Sequence, residues 1–306
     1  MKFGRYYEIR IKTPNKVKYA GGYQNYPYMG EPGKLITIKP PMTAIIDVDR
    51  HMRASVNNAT VTLYNLSPDT RSLIYKDKYT TVDYWQMSIM ASYDENNLYE
   101  IFRGNIQEAY SYKQNTEWIT YIDAFDGAYA IQNGSVSETV GKNVSKSDII
   151  TRLIHTMPNI FEGAMGSPTQ GSAPRGQVLI GSSFNEIQRI CGNQAFIDSE
   201  KINILADDEI INGNPFLLTG STGPLEAGNL FTTPKRRETY LELDALFSPE
   251  IRVGASVEIQ SGEKKYNGQY RVFGVKHSIT ISGAQSGDAI SSLSLDAGAK
   301  IFQGVI

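Results

Sequence analysis

The sequence predicts a mainly β fold: two similar antiparallel β-barrel domains separated by a smaller α/β middle domain, an α+β insert. Three observations predict it. Apolar and polar residues alternate with a period of two in many short segments, which is typical of half-buried strands. The same landmarks occur twice in the same order. Between the two copies, the pattern changes to a helical period.

The clearest β-unit lies between Thr239 and Ala297. Its first strand carries Leu241 and Leu243 in alternation with acidic residues, and it ends at Ser248-Pro249, because proline cannot donate to a strand ladder. Gly268 opens a long later strand of the same alternating kind. The pattern predicts an antiparallel meander.

An earlier stretch repeats these landmarks. Residues Ala59–Thr70 read ATVTLYNLSPDT, an alternating strand that ends at Ser67-Pro68. Gly104 opens a strand as Gly268 does later, and the segment YIDAFDG closes this part as LSLDAG closes the other. Matching landmarks in a fixed order predict a duplicated β-unit.

A segment rich in Tyr, Gly and Pro interrupts the first unit between Thr13 and Gly33. Its composition does not favour a regular element. Two interpretations stay open: a loop folded onto its own barrel, or tyrosines buried against a partner, where they supply large contact area. The second interpretation predicts a subunit contact through Tyr19, Tyr23, Tyr26 and Tyr28.

The insert contains two helix signals and a hairpin signal. Ser145–Asp148 and Ser183–Glu186 each precede apolar residues at helical spacing. Phe196–Leu205 predicts a tight hairpin that turns at Ser199-Glu200. We therefore expect domains at 1–126 (with the excursion 13–42), 127–222 and 223–306.

Composition excludes several classes of protein. Hydrophobic residues make up 41% of the 306 residues and charged residues 20%, as in globular proteins. No apolar run suits a membrane span or a signal peptide, and Cys191 is alone, so we expect synthesis in the cytoplasm, no membrane insertion and no disulfide framework.

Charge is unevenly distributed. The chain up to Thr80 has 13 Lys/Arg and 6 Asp/Glu, a net +7, and the remainder has 17 and 26, a net −9. This indicates either ordinary solvated surface or a basic end that meets an acidic neighbour, such as another copy of a subunit.

Catalytic and metal-binding patterns are weak. The histidines lack metal-site spacing, the acidic clusters fit a strand face and a turn, and the single cysteine fits a small core residue. No nucleophile elbow, Walker loop or dinucleotide motif occurs. We expect no catalytic residue, cofactor or metal site. The residues considered are His51, His155, His277, Asp47, Asp49, Asp207, Asp208, Glu209 and Cys191.

Two stretches resemble a known family. The turn LFSPEIRVG (Leu246–Gly254), followed by GQYRVFGVKHS and SLSLDAG, resembles the closing tube domain of phage baseplate hub proteins, the trimeric hubs similar to late control protein D. IFRGNIQEAYSY and the following YIDAFDG segment resemble the join between the first barrel and the middle domain of that family. The resemblance covers most of Ala59–Ala297.

The resemblance implies a structural role in the virion, in a tail baseplate or tip. Such hubs are homotrimers whose paired tube-type barrels continue a sixfold tail tube and join it to a threefold spike or tip. Implied partners are the tail tube protein, the spike or tail-tip protein, the tape-measure protein and other baseplate proteins, with DNA only in transit through the channel. Release of the genome would follow that channel.

Two alternatives stay open from the residues. A receptor- or carbohydrate-binding tail protein would use exposed aromatic side chains, and the chain has 19 tyrosines. A tail-associated hydrolase would need a further domain, and we expect none because the chain ends at Ile306, shortly after the second unit.

Overall fold

The structure is a computed structural model, and it describes residues 4–14, 33–53, 56–78, 83–211, 214–220, 228–237, 239–283, 287–296 and 303–305. Within these residues strands far outnumber helices, which confirms the mainly β prediction. None of the described helices is long and apolar enough to cross a membrane.

The first strands are β1 (Tyr6–Lys12), β2 (Leu35–Ile38), β3 (Ala44–His51), β4 (Asn57–Tyr64), β5 (Gln86–Ser92), β6 (Tyr99–Gln114) and β7 (Glu117–Asp126). The next are β8 (Ser135–Val140), β9 (Phe161–Met165), β10 (Gln177–Ser182), β11 (Ala195–Asp198), β12 (Lys201–Ile204), β13 (Glu209–Ile211) and β14 (Phe216–Thr219). The last are β15 (Lys235–Arg237), β16 (Tyr240–Leu246), β17 (Ser256–Gln260), β18 (Gly268–Ile281), β19 (Ala289–Asp296) and β20 (Gln303–Val305). The helices are α1 (Pro68–Ile74), α2 (Ala128–Asn133), α3 (Lys146–His155) and α4 (Ser183–Cys191).

The chain divides into two compact units. Unit 1 comprises Met1–Ile46, Ala59–Phe125 and Thr280–Gly287, and unit 2 comprises Asp47–Asn58, Asp126–Ile279 and Asp288–Ile306.

Unit 1 is a sheet in which the neighbour order is β4-β7-β6-β5-β1-β2. Strand β4 buries Ala59, Val61 and Leu63 completely, as its alternation predicts. Helix α1 begins at Pro68, where a missing N–H costs nothing, and the Ser67 side chain accepts a hydrogen bond from the Thr70 N–H at 3.2 Å.

Unit 2 contains a sheet in the order β15-β16-β19-β18. Strand β17 pairs with β18 antiparallel and with β14 parallel. The inward side chains of this sheet form one core with Phe196 and Leu205. That core includes Leu241, Leu243, Ala245, Val257, Ile259, Val272, Val275, Leu293 and Leu295.

A second core of unit 2 lies under helices α3 and α4. Ile149, Ile150, Leu153 and Ile154 of α3 are buried there, which confirms the helical face read from the sequence. The predicted capping bond of Ser145 is not formed, because its hydroxyl contacts the Ser147 hydroxyl at 2.7 Å instead. Short sheets β8-β10 and β9-β12-β11 complete this part.

One four-strand order occurs twice in the molecule. Neighbours run β4-β7-β6-β5 in the first case and β16-β19-β18-β17 in the second. Both long strands also carry a β-bulge at the same place, between Ile106 and Glu108 in β6 and between Val272 and Gly274 in β18. Gly268 opens β18 as predicted, whereas β6 begins at Tyr99, ahead of Gly104.

Candidate assembly surfaces and a buried polar junction

The hairpin of β6 and β7 presents one face rich in tyrosine and carboxylate. Tyr110 lies directly opposite Tyr121, with ring centroids 5.5 Å apart, and Tyr110 and Tyr112 are 6.0 Å apart. Glu108 lies opposite Asp123 on the same face. We call these five residues the acidic–aromatic face; Tyr112 is 43% exposed and Tyr110 38%.

Negative charge accumulates on the acidic–aromatic face. Burial and then the neighbouring Glu108 raise the pKa of Asp123 above its usual value. Burial, then Asp123, Tyr110 and Glu108, raise the pKa of Tyr121. Neither Glu108 nor Asp123 forms a salt bridge within the described part of the chain. This face therefore favours a cationic partner.

The opposite face of the hairpin contacts α1. The Arg71 guanidinium stacks over the Trp118 ring at 3.6 Å from its centroid, a cation–π geometry. Beyond the helix, Lys76 pairs with Ala109 through two backbone hydrogen bonds of 2.9 Å. Tyr75, next to that bridge, is 60% exposed and adds apolar surface.

Strand β15 of unit 2 is a basic edge. Its three residues, Lys235, Arg236 and Arg237, are all exposed, and Arg237 Nε lies 3.2 Å from Glu242 Oε2. A cleft of about 460 Å³ beside it is lined by side chains of both signs. They include Asp49, Arg53, Lys235, Arg237, Glu242 and Lys276.

A buried ion pair lies at the end of β3 in unit 2. The Arg50 guanidinium donates to both carboxylate oxygens of Asp198, at 2.7 Å from Nε and 2.5 Å from the second nitrogen. Asn57 joins the same junction: its side chain donates to the Ile197 carbonyl at 2.9 Å and accepts from the His51 N–H at 3.0 Å. A bidentate Arg–carboxylate pair fixes both direction and distance.

Asp126 holds the tip of the hairpin β11–β12. Ser199 and Glu200 form the predicted turn. Their backbone φ angles are 53° and 61°, in the left-handed region that residues other than glycine rarely adopt. The Asp126 carboxylate accepts from both turn amides, at 2.6 Å from Ser199 and 2.9 Å from Glu200. These two charge-assisted bonds hold the strained turn in place.

Burial changes the protonation of the junction. Burial, with a contribution from Asp198, raises the pKa of Asp126 to about 7 although Arg50 and the turn amides oppose it. Burial also raises the pKa of Glu200 to about 7. On β18, burial and then Arg50 lower the pKa of His277 to about 3, so its ring is neutral.

Three of the candidate residues from the sequence, His277, Cys191 and Glu209, form hydrogen bonds that hold the fold together. His277 Nδ1 lies 2.8 Å from the Ser291 hydroxyl, which accepts from the Ser248 N–H at 3.0 Å. Cys191 is buried, and its thiol donates to the Ile187 carbonyl at 2.9 Å. The Glu209 carboxylate accepts hydrogen bonds from the backbone N–H groups of Ser167 and Ala206. Among the described residues no three His, Cys, Asp or Glu side chains come together as a metal site would require.

The predicted subunit contact, Tyr19, Tyr23, Tyr26 and Tyr28, lies outside the described residues. The junction of Arg50, Asp126 and Asp198 was missed by the sequence reasoning. One signal could have found Arg50: it follows Ile46 and Val48 at the inward positions of an alternating strand, where an arginine needs a buried partner.

Comparison with protein families decides the identity. The family model described as Baseplate hub gp41 matches residues 31–285. The chain belongs to the baseplate hub gp41 family. It is thus a structural component of a phage tail, as the sequence resemblance implies. No curated protein matches the chain.

Solved structures similar to this hub-family chain include phage tail proteins and a type VI secretion component, all at low identity, so the similarity concerns the fold alone. A tail protein from Neisseria meningitidis MC58 is 9% identical with a TM-score of 0.59, covering 96% of each chain. The 43 kDa tail protein of prophage MuSo2 from Shewanella oneidensis is 8% identical with a TM-score of 0.56, covering 94% of this chain and 97% of its own. The E. coli c3393 protein, a type VI secretion component similar to T4 tail proteins gp27 and gp5, is 9% identical with a TM-score of 0.55, covering 87% and 76%.

Proposed function

We propose that the chain forms a homotrimeric ring that adapts a sixfold tail tube to a threefold spike or tip. The repeated strand order, within a chain of the hub family, is the observation that carries this proposal. Each chain contains the four-strand order twice, so three chains supply six similar positions around a closed ring. Such a ring matches a sixfold neighbour without six chains.

The ring would be lined by two β-barrels per chain, within the predicted domains 1–126 and 223–306, with 127–222 between them. Support comes from the shared bulge and the shared place of the two Ser-Pro turns, one after β4 and one after β16. Tyr19, Tyr23, Tyr26 and Tyr28 remain our proposed contact from the first barrel to another subunit.

The channel would carry the tape-measure protein and then DNA. An excess of acidic residues beyond Thr80 supports a wall that DNA passes without binding, since a basic wall would hold phosphates. Other partners would be the tail tube protein, the spike or tip protein and the remaining baseplate proteins. We propose no catalytic step, and hydrolysis of peptidoglycan or peptide by the purified chain, lost in a point variant, would contradict this.

Copy number in isolated tail tips tests the proposal. Native mass spectrometry of the tip, or cryo-electron microscopy of the intact tail, is expected to find three copies around an open channel. Six copies, or one, would contradict the trimer. They would also contradict the proposal that the doubled strand order supplies six similar positions from three chains.

A further inference from the structure

In unit 2 the edge of β18 is covered by the strand β3. The Met52 N–H donates to the Phe273 carbonyl at 2.8 Å, and the Ser278 hydroxyl donates to Asp47 Oδ1 at 2.6 Å. These contacts set an antiparallel alignment in which residue 48 lies opposite residue 277. We call this part of β18 the covered edge.

The corresponding edge of β6 is open. Aligned at their bulges, Ser111 of β6 corresponds to His277 of β18, and Tyr112 to Ser278. Ala109 bonds to Lys76 on this side, so alternation directs the backbone groups of Ser111 and Lys113 to the same side. Within the described ranges no backbone group bonds to them there. Residues 110–113 are hereafter the open edge.

The strand that corresponds to β3 is β15, because each precedes the first strand of a repeat. The Asp244 carbonyl and the Leu246 N–H of β16 bond on the side where β15 lies, so alternation directs the backbone groups of Tyr240 to that side and makes Arg237 and Tyr240 a hydrogen-bonded pair. The backbone groups of Arg236, one residue earlier, therefore point away from β16. Aligning β4 with β16 at their equivalent bonds to β7 and β19 places Arg236 where β3 has Val48.

We infer that β15 of one copy adds to the open edge of β6 in the next copy, antiparallel, with Arg236 opposite Ser111. The inference rests on the proposed function, since it names the contact that would close the ring. Strand addition supplies main-chain hydrogen bonds to groups that are otherwise left to water.

Charge and side-chain direction support the same pairing. In this alignment Lys235 and Arg237 lie on the side of the acidic–aromatic face, opposite Tyr112 and Tyr110. Two exposed cations thus meet tyrosine rings and the carboxylates of Glu108 and Asp123, which have no salt bridge among the described residues. A second copy of this chain is therefore the occupant that fits.

Paired cysteines test the contact in the full-length protein. Oxidation of the variant Ser111→Cys with Arg236→Cys is expected to link copies into dimers and trimers on a denaturing gel. The matched control joins Ser111→Cys to Ser137→Cys, which is exposed on β8, and should remain unlinked. Native mass spectrometry of the same samples reports copy number independently.

The outcomes separate this inference from the proposed function. Trimers without cross-links overturn the strand pairing and leave the ring intact. Cross-linked ladders that continue beyond three copies support the pairing and overturn the closed trimer. Monomers without cross-links overturn both.

A charge exchange provides the second test. Glu108→Lys or Arg237→Glu alone is expected to weaken trimer formation about tenfold, and the double exchange to restore it largely. Circular dichroism checks that each variant folds. Single variants that assemble like the wild type would overturn the ionic part of the contact.

Discussion

The covered edge of β18 and the open edge of β6 belong to equivalent strands with the same bulge, yet their surroundings differ. His277 is fully buried, whereas its counterpart Ser111 is half-buried and is followed by the exposed Tyr112. The neighbouring strand β3 makes this difference, because it covers one edge only. Exposure along a strand thus depends on which strand lies beside it as much as on its own alternation.

The two edges also differ in how their charges are satisfied. On the covered side, Asp47 accepts from Ser278 and Arg50 is paired with Asp198. On the open side, Glu108 and Asp123 lie together without a described cation. A satisfied edge is typical of a permanent intramolecular contact, and an unsatisfied one of a surface awaiting a partner.

The largest expected effect is on the ion pair at the end of β3, the strand that covers β18. Asp198→Ala leaves the buried Arg50 guanidinium unpaired and should lower the free energy of unfolding by about 3–5 kcal/mol. The double variant Arg50→Met with Asp198→Leu should recover most of the loss, because it removes both charges. Denaturant titration measures this, and a loss below about 1 kcal/mol for Asp198→Ala would contradict the role of the pair.

The free energy of unfolding is expected to depend on pH through Glu200, in the β11–β12 hairpin whose Asp198 pairs with Arg50. The pKa of Glu200 is about 7 in the folded state and 4.5 ordinarily, so the folded state binds the proton more tightly. The stabilisation is complete below about pH 4.5 and is lost as the pH rises through 7. Glu200→Gln should reduce the fall in stability between pH 5 and 8 by on the order of 2 kcal/mol.

Chemical unfolding across that pH range provides the measurement. Asp126 keeps its own raised pKa in the variant, so part of the fall should remain. Glu162→Gln, at an exposed position of β9, is the control and should leave the dependence unchanged. An identical pH profile for Glu200→Gln and the wild type would refute the assignment.

Two substitutions at corresponding positions of β18 and β6 compare the two edges. Ser278→Ala removes the hydrogen bond to the Asp47 carboxylate and should cost about 1 kcal/mol. Tyr112 occupies the corresponding position on the open edge. Tyr112→Ser should alter the free energy of unfolding of the dissociated chain by no more than about 0.5 kcal/mol. Thermal unfolding at low protein concentration distinguishes them, and equal costs would remove the contrast between the edges.

The smallest effect concerns the strained turn that Asp126 holds. Ser199→Gly places glycine at a φ of 53°, where it has no steric penalty, and should stabilise the protein by about 0.5 kcal/mol. The Asp126 hydrogen bond uses the backbone amide and is retained. Ser137→Gly, in the extended strand β8, is the control and should destabilise; stabilisation by both would show that strain is not the cause.

Local patterns predicted much of the fold. Alternation at Leu241 and Leu243 and the Ser67-Pro68 signal correspond to β16 and α1 because each depends on a few neighbouring residues. The turn at Ser199-Glu200 was also predicted, although neither residue favours its backbone conformation. What no local pattern contained was Asp126, more than seventy positions away, whose carboxylate supports that turn.

The sequence by itself therefore determined the strands, the helix faces, the doubled landmarks and the family, since these follow from periodicity, turn chemistry and short motifs. Only the tertiary structure decided that Arg50 would meet Asp198, that β3 would cover β18, and that the end of β6 would keep an open edge. Such contacts join residues far apart in the chain, and their strength depends on burial and geometry, which residue order alone does not specify.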